Sequence, residues 1–309
     1  KLEKPGGFIK HDEKGGQDTY VEHLLSTIDI NLKGLKVVLD CANGASYETA
    51  PRTYEMLGAD TVVIGNTPDG VNINDGCGST HPENLCKKVI EEKADLGLAF
   101  DGDADRLIAV DENGNVVDGD RTICICAKML KDSGRLKENI VTGTVMSNLG
   151  FHKYLNGIGC KTISTKVGDR YVLESMLETG SVIGGEQSGH IIFKDYATTG
   201  DGTLASLQLI KAMRASGKKL SELADEIAIY PQVLVNAKVK EANKEMFKTD
   251  EEVQEAIRVL EEKMEGEGRV LIRPSGTEPL VRVMIEGKST DEIAGYARKM
   301  ADLLEEKFS

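Results

Sequence analysis

The run Leu96-Gly-Leu-Ala-Phe-Asp-Gly-Asp-Ala-Asp-Arg-Leu-Ile-Ala-Val110 constrains this chain more than any other stretch. Its two apolar segments, Leu96 to Phe100 and Leu107 to Val110, read as buried strands. Between them a short loop carries carboxylates at alternate positions, Asp101, Asp103 and Asp105, followed by Arg106. Alternate acids on a nearly extended loop face one centre, and hard oxygen ligands of that kind suit Mg²⁺ or Ca²⁺. A Mg²⁺ ion held by two or three carboxylates keeps an open face for a phosphate oxygen. The loop predicts a metal site for phosphate chemistry.

Three other readings compete at this loop. A solvated acidic turn explains a lone D-x-D. An EF-hand would use Asp101, Asp103, Asp105 and Glu112 as ligands, but Arg106 stands where its sharp turn needs Gly, and no helix precedes the loop. An aspartyl-nucleophile phosphatase also places D-x-D after a strand, with Asp101 as nucleophile. The downstream acidic pair that such phosphatases generally need is missing, so this reading ranks last.

Around the loop, strands alternate with helices. Residues 1–16 are polar and Gly-rich and read as a linker. Tyr20, Val21, Leu24, Leu25 and Ile28 mark an amphipathic helix, and strands follow at Val37–Leu39 and Thr61–Ile64. A long Gly/Asn loop from Gly65 to Thr80 leads into a helix near Pro82, and then comes the strand into the acidic loop. After Glu112-Asn-Gly-Asn115 a second unit of similar size and order begins, and at Tyr230-Pro231 the character changes. The expected fold class is α/β: two consecutive α/β domains with mixed, mostly parallel sheets, plus a smaller C-terminal α+β domain. The expected boundaries are 17–115 for the domain with the metal-binding loop, 116–229 for the one with a sugar-binding loop, and 232–309 for a phosphate-binding domain. Capping boxes are expected at Thr249…Glu252 and Ser289…Glu292.

Composition narrows the function classes. The net charge is −13 with no basic run and no Trp, which argues against a nucleic-acid partner. No apolar stretch is long enough to span a membrane. The six cysteines contain no C-x-x-C pair and read as reduced thiols of a cytoplasmic protein. An acidic chain that binds an anion must concentrate its cations locally, so single basic residues in loops are informative.

Three further loops carry such residues. Thr165-Lys-Val-Gly-Asp-Arg170 follows a strand and precedes a helix, the place where open α/β sheets bind ligands, and it presents Lys166 and Arg170. A βα loop with surface charge explains this stretch equally well. In Gly184-Gly-Glu-Gln-Ser-Gly-His190, Glu186 and Ser188 are spaced to accept from and donate to vicinal hydroxyls, and His190 is in reach of a phosphate or leaving oxygen. Arg273-Pro-Ser-Gly-Thr-Glu-Pro279, with Arg282 beyond it, combines hydroxyls, Gly-flanked amides and guanidinium forks into a phosphate cradle.

Taken together, Asp101-Gly-Asp-Ala-Asp-Arg106, Gly185-Glu-Gln-Ser-Gly-His190 and Arg273-Pro-Ser-Gly-Thr-Glu278 resemble the α-D-phosphohexomutase superfamily, in the same order and spacing. The resemblance covers essentially the whole chain, as domains two to four of a four-domain enzyme. Gln187 and the run Asn72-Ile-Asn-Asp-Gly-Cys-Gly-Ser-Thr-His-Pro-Glu83 resemble the phosphoglucosamine mutase subfamily, which interconverts glucosamine 6-phosphate and glucosamine 1-phosphate on the route to cell-wall amino sugars. The alternatives are a glucose or mannose phosphomutase, or a non-catalytic sugar-phosphate-binding module.

The resemblance implies an isomerase-class phosphotransferase. A phosphoserine gives its phosphoryl group to the sugar phosphate, and a sugar bisphosphate serves as activator and intermediate. One Mg²⁺ would sit on Asp101, Asp103 and Asp105, with Arg106 beside it. Gly168, Asp169, Arg170, Glu186, Gln187 and Ser188 would bind substrate, while Arg273, Ser275, Gly276, Thr277 and Arg282 would grip the phosphate that is not reacting. Lys166 and His190 are proton-transfer candidates. Reorienting the intermediate requires the last domain to open and close, with Tyr230-Pro231 as hinge. The family's first domain, which carries the phosphoserine, is expected to be absent, leaving a truncated mutase without turnover. Ser79-Thr-His-Pro82 superficially resembles the phosphoserine loop, but Thr80…Glu83 with Pro82 in the first turn reads as a helix capping box. Several family members form homodimers, although no stretch of this sequence shows an interface.

Overall fold

The computed structural model describes residues 15–276 and 278–309. The first stretch contains α1 (Gly15–Ser26), β1 (Lys36–Asp40), α2 (Thr49–Met56), β2 (Asp60–Ile64), α3 (Glu83–Glu92), β3 (Leu96–Phe100), β4 (Leu107–Asp111) and β5 (Val116–Val117). Next come α4 (Gly119–Asp132), β6 (Ile140–Thr144), α5 (Leu149–Gly157), β7 (Lys161–Thr165), α6 (Asp169–Thr179), β8 (Ile183–Gly185), β9 (Ile191–Phe193), α7 (Gly202–Ser216) and α8 (Leu220–Asp225). The chain ends with β10 (Gln232–Lys238), α9 (Glu251–Lys263), β11 (Gly268–Pro274), β12 (Leu280–Gly287) and α10 (Thr290–Phe308). Its contacts separate into two compact units. One runs to Thr144 and resumes over Thr165–Glu226; the other joins Val145–Ser164 to Ile227–Ser309.

In the first unit a five-stranded sheet has the order β2-β1-β3-β4-β5. β1 pairs parallel with β2 and β3, whereas β4 pairs antiparallel with β3 and with β5. The reversal has a simple cause: the acidic loop is far too short for the crossover that a parallel neighbour requires. Every residue of β3 and β4 is buried, so the apolar runs of the sequence are the centre of this core. On one face Leu85 and Val89 of α3, one turn apart, pack with Val38, Ala99 and Val110. In a second sheet β8 pairs parallel with β6 and antiparallel with β9, so the segment 186–190 is a hairpin loop.

In the second unit an antiparallel sheet of order β10-β12-β11 carries α9 and α10. Its core joins Val281, Val283 and Ile285 of β12 to Val253 and Leu260 of α9 and to Ile293, Ala297, Met300, Leu304 and Phe308 of α10. The other face of the sheet holds cross-strand rows of Gln232, Glu286 and Arg269, then Leu234, Met284 and Leu271, then Asn236, Arg282 and Arg273.

Several local expectations change. Gly15 and Gly16 belong to α1, while the rest of the proposed linker lies outside the described residues. The box Thr80…Glu83 does not form. Ser79 N donates to Phe100 O at 2.8 Å, tying this segment to the end of β3, and Pro82 becomes the N-cap of α3 with no side-chain cap. At α9 the cap moves from Thr249 to Asp250, whose carboxylate accepts from Val253 N at 3.0 Å. At α10 the Ser289 half of the expected box forms, its hydroxyl accepting from Glu292 N at 3.4 Å, while the Glu292 carboxylate takes the Tyr296 hydroxyl. No helix among the described residues is long and apolar enough to cross a membrane.

Candidate active site

The acidic loop turns sharply where Ala104 adopts a left-handed conformation (φ 64°) and its amide donates to Asp101 O at 3.0 Å. One carboxylate oxygen from each of Asp101, Asp103 and Asp105 lies within 4.8 Å of the others. Asp101 is buried and accepts from Arg106 N at 3.1 Å. Burial raises its pKa, the Arg106 amide opposes that, and the charges of Asp105 and Asp103 add to the rise. Arg106 Nε stands 3.5 Å from Asp101 Oδ2 and 3.7 Å from Asp105 Oδ1. Neither Arg106 Nε nor Asp105 Oδ1 makes a hydrogen bond among the described residues, although both atoms are buried. Three crowded carboxylates with an orphaned oxygen are completed by an oxygen-seeking cation, and an all-oxygen donor set with an open face fits Mg²⁺. The residues fit the ion.

The β8–β9 hairpin loop is joined to this acidic loop through the backbone. Leu107 N donates to Gly189 O at 2.9 Å, and Arg106 and His190 form an isolated antiparallel bridge. Gly189 has φ 95°, and a Cβ there would stand 2.2 Å from Leu107 O, so only glycine allows this approach. His190 is 4 % exposed. Its Nε2 accepts from Gly200 N at 3.0 Å, so the ring proton belongs on Nδ1, which faces Asp105 Oδ2 at 3.2 Å. Both ring nitrogens are thus engaged.

Glu186 accepts at Oε1 from Gly168 N at 2.9 Å, which draws the loop before α6 to the same place. Gln187 Nε2 donates to Asp118 Oδ2 at 3.2 Å, and the main-chain carbonyl of Gln187 accepts from Gly119 N at 3.0 Å, anchoring it on the start of α4. Ser188 is exposed. Asp169, in the first turn of α6, lies 3.8 Å from His190 Nε2. Lys166 is exposed, with its ammonium 5.8 Å from the centre of the Tyr171 ring. Arg170 is brought to none of these groups: its side chain is 81 % exposed and its Nε holds Glu174 at 2.8 Å along α6.

Sequence reasoning missed the support behind His190. Gly200 fits because a Cβ would stand 2.4 Å from His190 Nε2. Asp201 caps α7 by accepting from Leu204 N and also takes the Tyr20 hydroxyl at 2.9 and 3.0 Å. Burial and the Asp201 charge push the Tyr20 hydroxyl pKa well up. A Gly-Asp-Gly run before an apolar helix was the available signal. A cavity of 530 Å³ opens here, lined among others by Tyr20, Ser46, Asp103, Asp105 and Asp201. Cavities of 510 and 680 Å³ beside α7 touch none of the candidate residues.

In the second unit Arg273, at the end of β11, stands directly across the ladder from Arg282 on β12. Like charges opposite one another destabilise a sheet unless an anion lies between or above them. Arg282 has Glu278 at 3.7 Å. The turn is closed by Ser275 N donating to Leu280 O at 2.9 Å and by Ser275 Oγ accepting from Glu278 N at 3.2 Å. Gly276 is exposed, and Thr277 lies outside the described residues. Lys244, which no motif marked, is buried against this turn.

The fold is mixed α/β, with a cluster of three carboxylates on the loop between β3 and β4 and an arginine-flanked turn after β11. Family models described as phosphoglucomutase/phosphomannomutase match in order: α/β/α domain II over residues 18–114, α/β/α domain III over 118–230 and the C-terminal domain over 234–303. The phosphoglucosamine mutase of Alkaliphilus oremlandii is 54% identical over 306 residues, covering 99% of this chain and 68% of that protein. The phosphoglucosamine mutase of Clostridium novyi is 58% identical over 290 residues, covering 94% of this chain and 65% of that protein. The chain therefore spans about two thirds of the length of these curated relatives. Among solved structures, a phosphoglucomutase/phosphomannomutase family protein from Burkholderia thailandensis superposes with a TM-score of 0.73 at 25% identity, covering 93% of this chain and 64% of the other. An Aspergillus fumigatus N-acetylphosphoglucosamine mutase, solved with GlcNAc-6P and magnesium, gives a TM-score of 0.72 at 19% identity over 95% of this chain and 66% of the other, a likeness of fold. The chain belongs to the phosphoglucomutase/phosphomannomutase family of the α-D-phosphohexomutase superfamily.

Proposed function

We propose that the protein is a Mg²⁺-dependent phosphohexomutase that interconverts glucosamine 6-phosphate and glucosamine 1-phosphate through a phosphoserine and a sugar bisphosphate. The observation that carries the reading is the Arg106–His190 bridge, which fixes the carboxylate loop and the hydroxyl-binding loop on one backbone frame. The amino-sugar assignment is supported by relatives at 54–59% identity that are named phosphoglucosamine mutases. The three family matches support domains at 17–115, 116–229 and 232–309. A cytoplasmic location and a homodimer belong to the same proposal, and six free cysteines support the first.

In this reading Asp101, Asp103 and Asp105 hold one Mg²⁺, which supplies charge stabilisation to a transferring phosphoryl group. Arg106 adds a fixed positive charge beside it. His190 is a positioning group: its Nδ1–H holds Asp105 while the Gly200 amide fixes the ring. That leaves exposed Lys166 as the candidate for moving a proton. Glu186 accepts sugar hydroxyls, oriented by the Gly168 amide, and Ser188 donates to them. Gln187, held on Asp118, is assigned to the amino group of the sugar. Arg273, Arg282 and the Ser275–Gly276 turn hold the phosphate that is not reacting.

The test uses the intact protein at its natural length, activated with a trace of sugar bisphosphate and Mg²⁺, on glucosamine 6-phosphate, glucose 6-phosphate and mannose 6-phosphate. A strong preference for the amino sugar is expected, weakened by Gln187→Ala. Preference for glucose or mannose phosphate overturns the substrate assignment. Binding without isomerisation of any of the three makes the protein a sugar-phosphate-binding module.

A further inference from the structure

We propose that Lys244 is a positioning residue for phosphate binding, acting from behind the turn that follows Arg273. The inference rests on the reading of that turn as a phosphate cradle. Lys244 is 8 % exposed and follows a short 3₁₀ turn at Glu241–Asn243. Its ammonium donates to Ser275 O at 2.8 Å and to Glu278 O at 2.9 Å, and pairs with Glu241 Oε1 at 2.8 Å. An ammonium has three N–H donors, and all three are used. The carbonyls it takes belong to the two residues that Ser275 Oγ and Glu278 N already join at 3.2 Å.

The consequence follows from peptide geometry. In a trans peptide the carbonyl and the next amide point in opposite directions, and no cis peptide occurs among the described residues. With Ser275 O held on Lys244, the Gly276 N–H faces the other way, toward the exposed side of the turn. The space a Cβ would take at Gly276 is open, with no atom within 4 Å. Lys244 therefore withdraws two carbonyl oxygens that would repel a phosphate, presents an amide that attracts one, and sets a cation behind the turn. Glu241 does not cancel this, because its side chain is largely in water while the ammonium is buried. Arginine cannot replace the lysine at no cost: a planar fork does not reproduce three diverging donors in a buried site.

The experiment is titration of the intact protein with inorganic phosphate, by calorimetry for Lys244→Met and Lys244→Arg and by amide NMR for the unsubstituted protein. Lys244→Met should weaken phosphate about tenfold, as expected for a lost charged hydrogen-bonding group, and raise KM for the sugar phosphate far more than it lowers kcat. Lys244→Arg should recover part of the loss. In the unsubstituted protein, phosphate should shift the Gly276 amide proton downfield, a readout independent of whether any variant folds. Unchanged affinity in Lys244→Met, or a still Gly276 amide while Arg273 and Arg282 respond, overturns the proposal. If phosphate moves none of these residues and Arg273→Ala is without effect, the cradle reading itself fails.

Discussion

At the scale of the residue, burial decides what a titratable side chain does. His190 carries a ring that general acid–base chemistry would welcome, yet its two nitrogens are committed to Gly200 and Asp105. His152 shows the thermodynamic side of the same effect. Burial, and next the Arg269 guanidinium, lower its pKa from 6.5 to about 4, with Nδ1 against Thr162 Oγ1 at 3.1 Å. The unfolded chain therefore takes up a proton between those values while the folded chain does not, so stability falls as pH drops from about 6.5 to about 4. His152→Gln should flatten that part of the profile, read as the urea midpoint of variant minus parent at about pH 7 and about pH 4.5. An identical slope in both proteins would remove His152 from the acid sensitivity.

At the scale of the element, α5 is fastened to the C-terminal sheet by one buried carboxylate. Glu286 is 0 % exposed and accepts from Leu149 N at 3.1 Å, Asn148 Nδ2 at 3.2 Å and Gln232 Nε2 at 2.5 Å, with Arg269 Nε as its ionic partner. The carboxylate thus sits on the N-terminus of α5, where the helix dipole favours negative charge. Asn148 also bonds both ways with the Tyr230 backbone, at 2.9 and 3.0 Å, pinning the residue expected to act as a hinge. Glu286→Gln keeps the shape but leaves Arg269 without its counter-charge. It should cost about 3 kcal/mol in denaturant unfolding, the usual penalty for half of a buried pair. A loss below about 1 kcal/mol would show that the neutral amide serves as well.

At the scale of the whole molecule, the contacts place α5 with the C-terminal sheet although the chain reaches that sheet only much later. Hydrogen exchange checks this division, since cooperative units open together. In Glu286→Gln the amides of α5 should lose protection together with those of β10, β11 and β12, while β1 and β3 keep theirs. Protected α5 amides beside an exchanging C-terminal sheet would refute the grouping.

What the sequence by itself determined is local: the apolar runs that became β3 and β4, the Asp101–Asp105 spacing, the Ser289 cap, the three loops and the family they mark. These are legible because period, loop length and residue type act over a few neighbours. The mixed pairing of the central sheet was also within reach, since a short acidic loop forces the next strand to return antiparallel. What only tertiary structure decided are the partners of buried polar groups, because burial obliges each donor and acceptor to find a mate wherever the fold brings one. Lys244 meets Ser275 across 31 positions, Tyr20 meets Asp201 across 181, and Asn148 meets Glu286 across 138. No spacing rule foretells such pairs.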